Sequence, residues 1–216
     1  MSIKKSYAVF GLGRYGIAIA KELVENGIDV LAVDRDETLV NAAAVHIPMC
    51  KCADITDPKV FDLLGIGNID VVIIAMGSHL EASVMTTMLC KEAGVPTVIV
   101  KCATEMHRKI LLRVGADQAI IPESESGVRL AKNLLSSGFV DMVDLTDNVS
   151  LVELDVRPEW VGKSLLELNL RKKYGINVVA LRKNNAVQVT IDPSVPLTDD
   201  QQLVVIADTD KLQKLK

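Results

Sequence analysis

Six short strand-like runs, each followed closely by a helical pattern, limit what this chain can fold into. The run "DVVIIAMG" (70–77) has no polar side to present to water, so it needs cover on both faces. "YAVFG", "DVLAVD" and "PTVIVKC", with the shorter "PMCKCAD" and "DQAIIP", repeat the theme over residues 7–122. Between them "ETLVNAAAV", "PKVFDLLGI", "LEASVMTTMLCKEAG" and "EMHRKILLRVG" read as helices; one opens at a proline and two stop at a glycine. The expected class is α/β, a Rossmann-like parallel sheet covered on both faces.

The alternation stops after Pro122. "ESESGVRLAKNLLSSG" is expected to be a long helix with Val128, Ala131, Leu134 and Leu135 on one stripe, followed by an extended linker, "FVDMVDLTDN". Residues 150–216 change character: "SLVELDV", "NVVALRK", "AVQVTID" and "QLVVIAD" read as strands, and "GKSLLELNLRKKYG" as one helical piece. That pattern predicts a small, partly antiparallel α+β domain whose core is modest enough to lean on another surface, most simply a second copy. The expected organisation is a nucleotide-binding domain at 1–122, a crossover helix and linker at 123–149 and a C-terminal domain at 150–216.

Gly11, Gly13 and Gly16 in "GLGRYG" match G-x-G-x-x-G in the context that gives the motif meaning: after a strand, before a helix, and answered by Asp34 at the end of the next strand. The first glycine permits a sharp turn, the second a close approach of backbone to phosphate, and the third close packing of helix on strand. Free N–H groups and the positive helix end attract phosphate. Asp34 would accept hydrogen bonds from ribose hydroxyls, and its charge disfavours a 2′-phosphate. Arg14, inside the loop beside Tyr15, offers planar bidentate contact to phosphate. Asp54, the stretch Ala75-Met76-Gly77-Ser78 and Lys101 close later strands on the same sheet edge. Glu123 ends the sixth strand and could hold Mg²⁺ on nucleotide phosphates, or serve as an ordinary acid in a helix first turn.

Composition removes other classes. Net charge is −4, with 14 basic against 16 acidic side chains up to residue 140 and 10 against 12 from residue 141 on, and aromatic residues are 3%. Neither half has the positive excess of a nucleic-acid binder. No apolar run nears the roughly 18 residues of a membrane span, and the N-terminus enters a strand too soon for a signal peptide, so a cytoplasmic chain is expected. The four cysteines lack C-x-x-C spacing and are expected as buried or half-buried free thiols. A P-loop is missing, and residues 150–216 contain no histidine or cysteine for proton transfer. His79 fits a cap or surface residue better than a proton donor. A small NAD-dependent oxidoreductase or NADH redox sensor is the alternative reading.

The segments "YAVFGLGRYGIAIAKEL", "VLAVDRDE", "AMGSHLEASVMTTMLCKEAGV", "LLRVGADQAIIPE" and "LRKKYGINVVAL" together resemble the RCK (KTN) regulatory subunits of potassium uptake systems, of the KtrA and TrkA types. The resemblance covers nearly the whole chain. It implies a non-enzymatic cytosolic subunit, a homo-oligomer from dimer to octameric ring, peripheral to the membrane beneath a potassium translocator of the KtrB or TrkH type. It implies ATP/ADP, or alternatively NAD/NADH, in the first domain, with Arg14 at the terminal phosphate and Glu123 holding Mg²⁺ or another divalent cation. Arg35, Asp36, Ala53, Asp54, Ala75, Gly77 and Lys101 fall where the family lines its pocket. In the second domain it implies a possible cyclic di-AMP site at Leu165, Leu166, Asn169, Leu170, Arg171, Tyr174, Asn177 and Pro193; Asn169 stands where close relatives often carry an acid.

Overall fold

Strand β1 (Tyr7–Phe10) sits near the middle of a six-stranded sheet and is buried from both sides. Ala8 and Phe10 pack into one hydrophobic cluster and Val9 into another, and none of the three is exposed. The remaining strands are β2 (Val30–Asp34), β3 (Met49–Cys52), β4 (Val71–Ile74), β5 (Thr97–Lys101) and β6 (Gln118–Ile120). All pair parallel, in the order β3-β2-β1-β4-β5-β6. Helices α1 (Arg14–Glu25), α2 (Glu37–Ala44), α3 (Pro58–Leu63), α4 (Leu80–Glu92) and α5 (Glu105–Val114) connect them. Strand order reverses between β1 and β4, which opens a crevice at the carboxyl ends of the strands. The computed structural model describes residues 5–77, 79–135, 139–146, 148–184 and 186–212, and the chain divides into two compact units after Pro122.

Local chemistry sets the helix starts. Asp36 accepts from Thr38 N–H at 2.8 Å to cap α2, and Asp57 caps α3 by accepting from Lys59 N–H at 2.9 Å, with Pro58 at the first helical position. Thr104 caps α5, and Gly115 ends it with φ 120. Helix α4 departs from ordinary amphipathic order. Ser83, Thr86 and Thr87 are buried, while Met85 and Met88 are exposed. Small hydroxyl side chains allow close packing on the sheet, and Thr87 satisfies its hydroxyl by donating to the Ser83 carbonyl at 2.6 Å.

At the opposite edge, Lys91 of α4 ion-pairs with Asp117 at 2.6 Å, and the same carboxylate accepts from Val98 N–H at 2.6 Å. One acid therefore ties α4, β5 and the entry to β6. Among the cysteines, Cys90 and Cys102 are buried, Cys50 is half-buried and Cys52 is exposed. Burial pushes the Cys90 thiol up to about 12. The exposure of Cys52 departs from the expected buried thiols; β3 is an edge strand, so its residues lack a neighbour on one side.

The second unit begins with α6 (Pro122–Leu135). Strands β7 (Phe139–Thr146) and β8 (Val149–Asp155), short helices α7 (Leu165–Leu168) and α8 (Leu170–Tyr174), strands β9 (Asn177–Lys183), β10 (Ala186–Gln188) and β11 (Gln201–Asp208), and α9 (Thr209–Leu212) complete it. The sheet is antiparallel, in the order β10-β9-β11-β8-β7. Its core includes Val152, Leu154, Trp160, Leu203 and Val205, and Glu153 is buried with its carboxylate 2.9 Å from Arg182 Nε. Residues 139–146, expected as linker, form β7 instead. Its pairing with β8 shifts register between Phe139 and Asp141 and between Asp144 and Thr146, and such irregularities break the alternation that marks a strand. The expected single helical piece splits at Asn169, which adopts φ 45, a left-handed conformation asparagine tolerates. On α6, Val128 and Leu134 of the expected stripe are exposed.

Burial works against ionised Asp117, but the hydrogen bonds from Lys91 and Val98 N–H outweigh it and hold the pKa below the ordinary value. A depressed folded pKa contributes stability above the unfolded value, roughly 3.9, and loses it as pH falls through the folded one. Asp117→Asn should therefore lower the melting temperature at pH 7 and flatten its fall below about pH 4, as read by circular dichroism melts across pH.

Candidate functional site

The crevice at the reversal of strand order is a cleft of about 760 Å³, built at the ends of β1, β2, β3 and β4. Gly11 leaves β1 with φ 91, and a Cβ there would come within 2.9 Å of Met76 Cγ. A Cβ on Gly16 would overlap the Gly11 carbonyl oxygen, so α1 reaches β1 only because both positions are glycine. Gly13 is different: it is the N-cap of α1 and nothing lies within 4 Å of where its Cβ would be. Gly13 also helps to line the cleft.

The start of α1 differs from those of its neighbours. Each of α2 to α5 opens on a capping side chain or an acid in the first turn, whereas α1 has neither. The first bond of its ladder is Ile17 N–H to the Gly13 carbonyl at 3.0 Å, so the N–H groups ahead of Ile17 have no place in that ladder. A positive helix end without a carboxylate, next to Arg14, is suited to an external anion.

Asp34 anchors this loop. Its Oδ2 accepts from Leu12 N–H at 2.6 Å and its Oδ1 from Asp36 N–H at 2.9 Å. One carboxylate thus joins the phosphate loop to the turn before α2. Each oxygen has two lone pairs, which leaves capacity for sugar hydroxyls. Asp54, at the end of β3, accepts from Thr56 through its hydroxyl at 2.7 Å and its N–H at 3.0 Å. The Thr56 hydroxyl, then its N–H, holds the Asp54 carboxyl below its ordinary pKa.

Of the residues expected from sequence, Gly11, Gly13, Asp34, Arg35, Asp36, Ala53, Asp54, Ala75 and Met76 line the cleft together. Gly16 acts behind it through packing. Arg14, Tyr15, Gly77 and Lys101 are not in its walls. Tyr15, Gly77 and Lys101 lie together outside it: Lys101 Nζ lies 5.4 Å from the centre of the Tyr15 ring, and a Cβ on Gly77 would fall 3.2 Å from Lys101 Cγ. Ser78 lies outside the described residues. Glu123 is in the first turn of α6, with Glu125, at the start of the second unit.

Sequence reasoning missed Leu39, Thr56, Leu80, Glu81 and Met85, which line the cleft; His79, expected as a cap or surface residue, is the N-cap of α4 and lines it too. His79, Ala82 and Met85 recur every three residues from the start of α4, a helical spacing that could have flagged this wall.

In the second unit a smaller cavity of about 240 Å³ is lined by Leu165, Asn169, Leu170, Arg171 and Asn177, with Ile176 and Val178, which sequence did not single out. Leu166, Tyr174 and Pro193 are not in its walls. Leu166 N–H donates to the Pro193 carbonyl at 3.1 Å, and the Tyr174 ring lies 5.9 Å from that of Trp160. Arg171 and Asn177 are exposed at this cavity.

Residues 7–122 match the TrkA-N domain family and residues 149–216 the TrkA-C domain family. The chain is 37% identical to Ktr system potassium uptake protein C of Bacillus subtilis, over 99% of this chain and 97% of that protein. It is 34% identical to Ktr system potassium uptake protein A of Vibrio alginolyticus, over 98% and 97% respectively. A solved structure of the GsuK channel bound to NAD shares the fold, with a TM-score of 0.65 at 15% identity over 98% of this chain. The chain spans 38% of that one. Among the described residues, no helix is long and apolar enough to cross a membrane, and no three His, Cys, Asp or Glu side chains gather as a metal site.

Asp34→Ala should leave the buried Leu12 N–H without its acceptor and cost about 1–3 kcal/mol of stability. Urea unfolding without ligand measures this. The deficit should appear before any nucleotide is added.

Proposed function

We propose a nucleotide-sensing role for this chain, which belongs to the TrkA-N/TrkA-C (RCK) family of regulatory subunits of potassium uptake systems. It is a regulator and not an enzyme. One observation carries the sensing reading: the uncapped N-terminus of α1, held to the cleft by Asp34, is made for a phosphate whose sugar reaches Asp34. The ligand is an adenine nucleotide, ATP or ADP in the first instance. Arg14 is the first residue of α1 and Lys101 lies with Tyr15 outside the cleft walls, so these two cations would serve a terminal phosphate. NAD or NADH is the second reading, supported by the NAD-bound GsuK channel. Asp34, Asp36, Asp54 and Glu81 make the nucleoside wall acidic, which disfavours a 2′-phosphate and hence NADP.

In this mechanism ATP and ADP share the cleft; Arg14 would contact ATP's third phosphate, and Glu123 would hold a divalent cation that offsets its charge. A ligand moves a conformational equilibrium only through contacts that differ between states. The third phosphate supplies that difference, and α6 with the rest of the second unit carries it to an oligomeric ring on the cytoplasmic face of a membrane potassium translocator. The second-unit cavity, with Arg171 and Asn177 at its rim, is a candidate for cyclic di-AMP. An oxidoreductase is disfavoured because residues 150–216 hold no histidine or cysteine.

Calorimetry with ATP, ADP, NAD, NADH and cyclic di-AMP, paired with ion flux in proteoliposomes containing the translocator, tests this reading. The parent should bind ATP and ADP and give different flux with each. Arg14→Ala should weaken ATP about tenfold, the size of one lost charge-assisted contact, leave ADP nearly unchanged and erase the difference in flux. Flux that still distinguishes ATP from ADP in Arg14→Ala would overturn the mechanism.

A further inference from the structure

Lys101 and Tyr15 come from strands that are not neighbours. Lys101 ends β5, and β4 separates β5 from β1, whose exit loop leads into α1. Two strand spacings, ~9.6 Å, therefore lie between the backbones that carry this pair. The lysine stem runs past the chain that leaves β4, and it does so at a glycine. A Cβ on Gly77 would stand 3.2 Å from Lys101 Cγ and 3.4 Å from its Cδ, so any side chain there would press on the stem. The ammonium then lies over Tyr15, with Nζ 5.4 Å from the ring centre. Tyr15 is the second residue of α1, in the turn whose N–H groups precede the helical ladder.

An aromatic face and a carboxylate hold an ammonium with different consequences. A carboxylate cancels the charge it binds. The ring quadrupole attracts the cation and leaves its full charge to act on other groups. That distinction matters here, because Asp34, Asp36, Asp54 and Glu81 outnumber Arg35 and His79 in the cleft walls. A cation kept over the first turn of α1 adds to the positive end of that helix. Holding it in advance also removes part of the ordering cost that a long, flexible stem imposes on binding.

We propose that Tyr15 is a positioning residue for Lys101: its ring, with Gly77 clearing the stem, holds the ammonium at the start of α1 as a fixed charge for a nucleotide's phosphates. This rests on the nucleotide-sensing reading above and adds how one of its cations is held. Tyr15 acts through Lys101 and needs no contact of its own with the ligand. The aromatic ring is what matters, and the phenolic hydroxyl is dispensable.

Two measurements on the full chain test this. Reductive methylation with isotope-labelled formaldehyde keeps lysine charged and makes its methyl groups visible by NMR. The Lys101 signal, assigned by its loss in Lys101→Arg, should be shifted upfield by the ring in the parent and in Tyr15→Phe, and return to the ordinary lysine position in Tyr15→Leu. Calorimetry with ATP and adenosine then reads the consequence for binding. Tyr15→Leu should weaken ATP about threefold to tenfold and leave adenosine within about twofold, with Tyr15→Phe matching the parent. Beside Lys101→Met, Tyr15→Leu should weaken ATP no further, because the residue it acts through is gone. A parental Lys101 signal at the ordinary position overturns the inference whatever the nucleotides do. A Tyr15→Leu loss that persists in full beside Lys101→Met also overturns it, and nucleotide sensing then stands. Absence of ATP binding to the parent overturns the sensing reading and this inference with it.

Discussion

The approach of α1 to the end of β1 governs the first unit. Gly16 meets the Gly11 carbonyl at a distance that admits no side chain on Gly16, and Gly11 turns with φ 91 against Met76. That contact sets the helix axis and hence where its positive end points. Asp34 then fixes the loop from the other side through Leu12 N–H. The glycine loop, Asp34 and the Ala75-Met76 turn are thereby positioned by one small patch of backbone. A larger residue at Gly16 would have to move the helix, and the whole cleft would move with it.

Chemistry within the cleft is segregated along the sheet. Asp34, Asp36 and Asp54 gather toward β2 and β3, while Lys101, beside Tyr15, stands outside the cleft walls. A ligand with neutral nucleoside and anionic phosphates matches that separation, and its reverse does not. In the proposed reading, recognition of the phosphates would rely mostly on backbone N–H groups and helix end, which cost little ordering because the fold already holds them. The side chains are left to discriminate among ligands that share a phosphate.

Much of this was legible in the residues. Strands such as Val71–Ile74 admit few alternatives, because four consecutive buried apolar side chains need cover on both faces. The glycines and Asp34 announced the cleft through their spacing. Signals failed where tertiary context overrode local pattern. Strand β7 hid behind its irregular register with β8, and the helix break at Asn169 depends on a left-handed residue that periodicity does not reveal. Helix α4 buries Ser83, Thr86 and Thr87 and exposes Met85 and Met88, so hydrophobicity does not mark its buried face. That inversion concealed Met85 as a cleft residue. Thr56 escaped notice because its part is played through Asp54, a relation that only coordinates display.

The exposure of Cys52 has a practical consequence. Cys90 and Cys102 are sealed in the core, and burial raises the thiol of half-buried Cys50, which lowers its thiolate fraction. A maleimide dye added under mild conditions will therefore go first to Cys52. This thiol sits in register with Asp34 yet outside the cleft walls, with Sγ near the Arg35 carbonyl. The chain thus carries its own attachment point for a fluorescent reporter beside the sugar acid, with no residue replaced to install it.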